Sequence, residues 1–67
     1  MIDFDTAIVT EIDYGSGEEV ADSTHEVSRD ECDVLVYCEV HHAEALLYRY
    51  DVLVGRIVVG GHDVEPA

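Results

Sequence analysis

Cys38, His41 and His42 stand as Cys-x2-His-His, and Cys32 lies six residues upstream of Cys38. Thiolate sulfur and imidazole nitrogen are ligands that Zn2+ and other transition metals accept, so Cys32, Cys38, His41 and His42 are candidates for a metal site, with zinc the leading ion. The same residues offer thiol chemistry, with Cys38 as nucleophile and His41 as its base. Local structure decides between these roles. On a strand, His41 points away from Cys38 and His42 lies ~13 Å from it, so a shared ion requires a sharp turn at position 39 or 40. On a helix, His41 and His42 would meet Cys38 from i+3 and i+4. The alternative is that Cys38 is a small buried apolar residue and the His pair caps a hairpin. If residues 32–40 are extended, the two cysteines sit roughly 20 Å apart and stay free thiols. No signature gathers a nucleophile, base and acid, which points to binding rather than catalysis.

A second group suits recognition. Tyr37, Tyr48 and Tyr50, with Arg49, are of the residue types that dominate protein interfaces, and Leu35 and Leu47 flank them. Leu35, Tyr37, Leu47 and Arg49 are therefore the candidate contact surface, unless the tyrosines and leucines are spent in the core.

Strands must position these groups. Eleven valines and four isoleucines against four leucines favour extended chain. Residues 6–13 read as a first strand that stops at Tyr14-Gly15-Ser16-Gly17, a glycine-rich turn. Residues 18–27 return as a charged edge strand. Ser28 and Glu31 have capping-box spacing, enough for one helical turn before Cys32. Residues 34–40, VLVYCEV, form the clearest strand, apolar on both faces. Residues 43–54 fit a helical stripe or an alternating strand, and their aromatic and β-branched content selects the strand. Residues 56–59 add a last strand, Gly60-Gly61 ends it, and residues 62–67 read as a flexible tail behind a single domain of residues 1–61. The fold expected is mainly β: a five-stranded antiparallel sheet or a small, partly open barrel, with at most one short helix.

Apolar side chains on both faces of 34–40 and 46–59 need cover that so short a chain can hardly supply. The economical source is a second copy, so a homodimer or higher homo-oligomer is expected, acting as a binding or adaptor module with another protein as a further partner. The alternative is a barrel whose curvature hides one face inside.

Charge excludes two partner classes. Sixteen carboxylates against three arginines and no lysine leave a net −13, which repels nucleic-acid phosphates and anionic lipid. The start, Met-Ile-Asp-Phe-Asp, lacks the basic flank and apolar run of a signal peptide, which points to the cytoplasm and away from membranes. The composition, acidic and free of lysine, resembles that of cytoplasmic proteins of salt-loving archaea, whose surfaces work in concentrated salt. Val58-Val59-Gly60-Gly61 resembles the tail of ubiquitin-like modifiers and sulfur carriers, whose terminal diglycine is activated by adenylation. In those families the chain ends at the second glycine, whereas His62 to Ala67 follow here and would need removal.

Overall fold

The computed structural model describes residues 2–61 and 63–67. Its elements are β1 (Thr6–Glu11), β2 (His25–Ser28), α1 (Val34–His41), β3 (Ala43–Arg49), β4 (Val52–Ile57), a 3-10 turn (Val59–Gly61) and β5 (Val64–Pro66). The strands form one antiparallel sheet of five in the order β2-β1-β3-β4-β5, open rather than closed into a barrel. β1 and β3 pair directly over six residues, from Thr6↔Tyr48 to Glu11↔Ala43, and β2 pairs on the outer side of β1, so the segment that leads from β2 back to β3 must cross a face of the sheet.

That segment is α1, where the strand expected at 34–40 is overturned. Asp33 caps the helix: its Oδ1 accepts from the Val36 N–H at 3.3 Å, and its carbonyl accepts the Tyr37 N–H at 2.9 Å. His42 ends it in the left-handed region at φ 50°, its N–H donating to the Cys38 carbonyl. Three valines in eight residues are poor helix formers, so tertiary packing must hold the element. Val34 and Cys38 are buried against a sheet face made of Ala7, Val9, Ala43, Ala45, Leu47 and Ile57. Three alanines in that floor let the helix approach closely. Leu35 and Tyr37 flank the contact, while Val36 and Val40 face outward.

Residues 43–54 are extended, as their alternation indicates, but they do not run as one strand. Tyr50 and Asp51 both have positive φ, 52° and 64°, between the paired Arg49 and Val52. This is the backbone of a two-residue hairpin with a type I′ sense, which a Tyr-Asp pair seldom announces. β4 then absorbs the start of the strand expected at 56–59. A bulge at Leu47/Tyr48 shifts the register, pairing Leu47 with Gly55 and Tyr48 with Leu53.

The expected tail is also corrected. Val64, Glu65 and Pro66 pair with Ile57, Arg56 and Gly55 as a fifth strand, while position 62 lies outside the described residues. Both edge strands are short, four and three residues, and each carries an outward glutamate, Glu26 or Glu65. Such edges discourage further strand addition.

Candidate functional site

The cysteine–histidine set is divided by the helix. Cys38 points into the core with no exposed surface, and burial pushes its thiol up to about 11, with smaller contributions from Cys32 and Glu44. Cys32 precedes the helix cap, half-buried, and both thiols are free. His41, in the last turn, packs its ring 4.3 Å from that of Tyr37. His42, beyond the helix end, stacks on Tyr14 at 3.8 Å. Among the described residues, no three His, Cys, Asp or Glu side chains converge as a metal site.

The histidines instead join tyrosines. His25 Nδ1 lies 2.9 Å from the Ser23 carbonyl oxygen, and its Nε2 lies 3.3 Å from the Tyr37 hydroxyl. A carbonyl can only accept, so Nδ1 carries a proton, and the Tyr37 hydroxyl is the hydrogen-bond partner of Nε2. Burial first, then the Glu11 carboxylate, raises the Tyr37 phenol above its usual range, so it stays protonated and serves as a donor.

The four recognition candidates also part company. Leu47 is fully buried between sheet and helix, so it belongs to this chain's own core and presents nothing to a partner. Leu35 and Tyr37 pack against that core from the helix. Arg49 pairs with Asp3, whose second oxygen takes Arg29 at 3.2 Å. Only Arg56 among the three arginines lies on the face of the sheet that the helix leaves uncovered.

Tyr48, one of the tyrosines suited to recognition, lies on that uncovered face together with residues the sequence did not single out. Because side chains alternate along a strand, Thr6, Ile8 and Thr10 of β1 and Glu44, Leu46 and Tyr48 of β3 point away from the helix. Register adds Glu26 from β2, Leu53 and Arg56 from β4, and Glu65 from β5. Ile8, Leu46, Tyr48 and Leu53 form an apolar strip, with Leu46 and Leu53 43% and 44% exposed. A hollow of about 150 Å³ opens beside Leu46, lined by Ile8, Thr10, Glu19, Glu44 and Arg56 among others. Arg56 Nε donates to Glu65 at 2.7 Å, leaving the terminal guanidinium nitrogens for another acceptor. One signal for this face was present: Ala43, Ala45 and Leu47 alternate with Glu44, Leu46 and Tyr48, separating a smooth side from a mixed one.

Gly60 and Gly61 are built into the fold. Both have positive φ, 85° and 71°, and a Cβ on Gly61 would come within 2.8 Å of the Leu35 carbonyl oxygen. The diglycine thus turns the chain against α1 and leads into β5. Among the described residues, no helix is long and apolar enough to cross a membrane. No protein-family model, curated protein or solved structure matches this chain, so the functional reading rests on its own residues.

Proposed function

We propose that this chain is a binding module that pairs with a second copy of itself through the uncovered face of the sheet. The observation that carries the reading is the apolar strip of Ile8, Leu46, Tyr48 and Leu53 on a face with no helix over it. The edges are less suited to association, since each is short and guarded by a glutamate. A stable pair buries roughly 800 Å² on each partner, about a fifth of this chain's 4394 Å². For a domain of 67 residues such burial adds materially to a small core. Pairing through this face leaves the helix side outward, with Tyr37, His25 and His41 available to a further protein. Its acidic surface suits a concentrated salt solution, where screening shortens repulsion to ~3 Å at 1 M.

Leu46→Asp tests the reading. In molar KCl, sedimentation of the parent chain should give twice the mass of one chain, and the variant should give a single-chain mass with an unchanged circular dichroism spectrum. A parent chain that stays single at millimolar concentration would end the proposal, as would a variant that still pairs.

A further inference from the structure

Resting on that reading of the uncovered face, we infer that the pair is an isologous dimer whose two-fold axis runs along the strands between β1 and β3, setting Ile8 against the partner's Leu46 and Glu26 against the partner's Arg56. Sheet register carries the inference. Glu26↔Ile8, Ile8↔Leu46 and Leu46↔Arg56 are successive cross-strand partners, so the four side chains form one row across β2, β1, β3 and β4. Strands lie about 4.8 Å apart, which spaces the row evenly. Read from either end, its chemistry is charge, apolar, apolar, opposite charge.

A row of that kind complements itself when rotated about its midpoint. Each acid then meets a base, and each aliphatic side chain meets an aliphatic side chain. A neighbouring row agrees with the same axis. Thr6 and Tyr48 are register partners, so the Thr6 hydroxyl comes opposite the partner's Tyr48. Thr10 and Glu44 are also partners, but the Thr10 hydroxyl is buried and bonded to the Thr24 hydroxyl at 2.8 Å, so this row adds no polar contact of its own.

Other two-fold placements are worse. An axis through β3 itself would set Ile8 against the partner's Arg56 and Glu26 against the partner's Glu65. An axis across the strands would set every residue of the row against its own copy, acid on acid and base on base. Like charges directly opposed across an interface are repulsive and select against such registers. The charged ends are also prepared for their partners. Among the described residues, Glu26 has no cation of its own chain within ion-pair distance, and Arg56 spends only Nε on Glu65. Two sheets meeting this way pack aligned, about 10 Å apart.

Complementary charge reversal tests the axis. Glu26→Arg and Arg56→Glu should each weaken their own homodimer by about tenfold or more, because each places like charges at both ends of the row. Mixed together, the two variants should form a heterodimer in preference to either homodimer, read by native mass spectrometry after circular dichroism confirms both are folded. Equal mixing, or homodimers as tight as the parent's, would overturn the axis while leaving pairing through the face intact. A parent chain that never pairs would instead overturn the proposed function. Glu26→Gln, a neutral change on an edge strand, should weaken pairing several-fold, and no weakening would overturn the axis even if Arg56→Glu fails to fold.

Discussion

Leu46 and Leu47 are neighbours in sequence on opposite faces of the central strand, and replacing each by alanine should separate the two faces energetically. Leu47 has no exposed surface and packs among Val9, Ile57 and the helix, so Leu47→Ala leaves a cavity and should cost about 2–5 kcal/mol. Leu46 is 43% exposed, so Leu46→Ala removes only part of a buried side chain and should cost about 1 kcal/mol in the single chain. A domain of 67 residues has roughly 3–10 kcal/mol of total stability, so the first change removes a large share and the second does not. Urea unfolding followed by circular dichroism reads both. With a slope near ~1 kcal/mol/M, the midpoint should fall by about 2 M or more for Leu47→Ala and about 1 M for Leu46→Ala. Repeating the unfolding at two protein concentrations separates folding from pairing, since only the paired state responds to dilution. A Leu46→Ala midpoint as low as that of Leu47→Ala at high dilution would refute the assignment of faces.

Other perturbations address separate parts of the molecule. A thiol reagent at pH 8 should modify Cys32 and leave Cys38 untouched until denaturant is added; equal rates in the folded protein would contradict the burial that raises Cys38 to about 11. The same shift makes stability pH-dependent. The folded state holds the Cys38 proton more tightly than the unfolded state, so its contribution is complete below pH ~9 and is lost as pH rises toward about 11. Thermal melts at pH 8 and 10.5 should show the decline, and Cys38→Ser, which removes that ionisation, should reduce the difference. Replacing Tyr50-Asp51 by Asn-Gly should raise stability by about 0.5–1 kcal/mol, several degrees in Tm, because both positions need positive φ. Gly61→Ala should lower Tm by several degrees, since its Cβ would press on the Leu35 carbonyl. Lowering KCl from molar to ~0.1 M lengthens screening to ~10 Å and should loosen a chain of net charge −13, seen as lost ellipticity.

How much of this was legible varies with the kind of force involved. β1 could be read because Ala7 and Val9 alternate with Thr6, Ile8 and Thr10, and a glycine-rich turn follows. β3 could be read for the same reason, but its end could not. The turn at Tyr50-Asp51 is dictated by cross-strand pairing between Arg49 and Val52, not by residues that favour positive φ. α1 was the largest divergence. Val34, Val36 and Val40 prefer extended chain locally, and it is the position of β1 between β2 and β3 that sends the connecting segment across a face of the sheet. One helix cue lay close by: Asp33 stands three residues before Val36, although Ser28 and Glu31 present the fuller capping pattern. β5 eluded a sequence reading because Val64-Glu65-Pro66 is short and contains proline, which an edge position accommodates.

The helix also changes what a partner would be needed to cover. In an extended segment, Leu35 and Tyr37 would share one exposed apolar face; wound at 3.6 residues per turn, they flank the core beside Val34 and Cys38. This chain therefore covers one side of its own sheet, and the second copy we propose would cover the reverse of β1 and β3. That side carries Glu26, Glu44 and Glu65 against one base, Arg56. Arg29 and Arg49 are tied to Asp3, so the one arginine placed on the uncovered face, Arg56, stands two strands beyond Ile8, whose other neighbour is Glu26. Glu65 extends the row by one acid that has no counterpart under the two-fold, and Arg56 Nε already neutralises it within the chain. Under the proposed two-fold, the lone base of this face stands in register with an acid across two aliphatic side chains. Reversing both charges in separate copies, and asking whether those copies choose each other, measures that register directly.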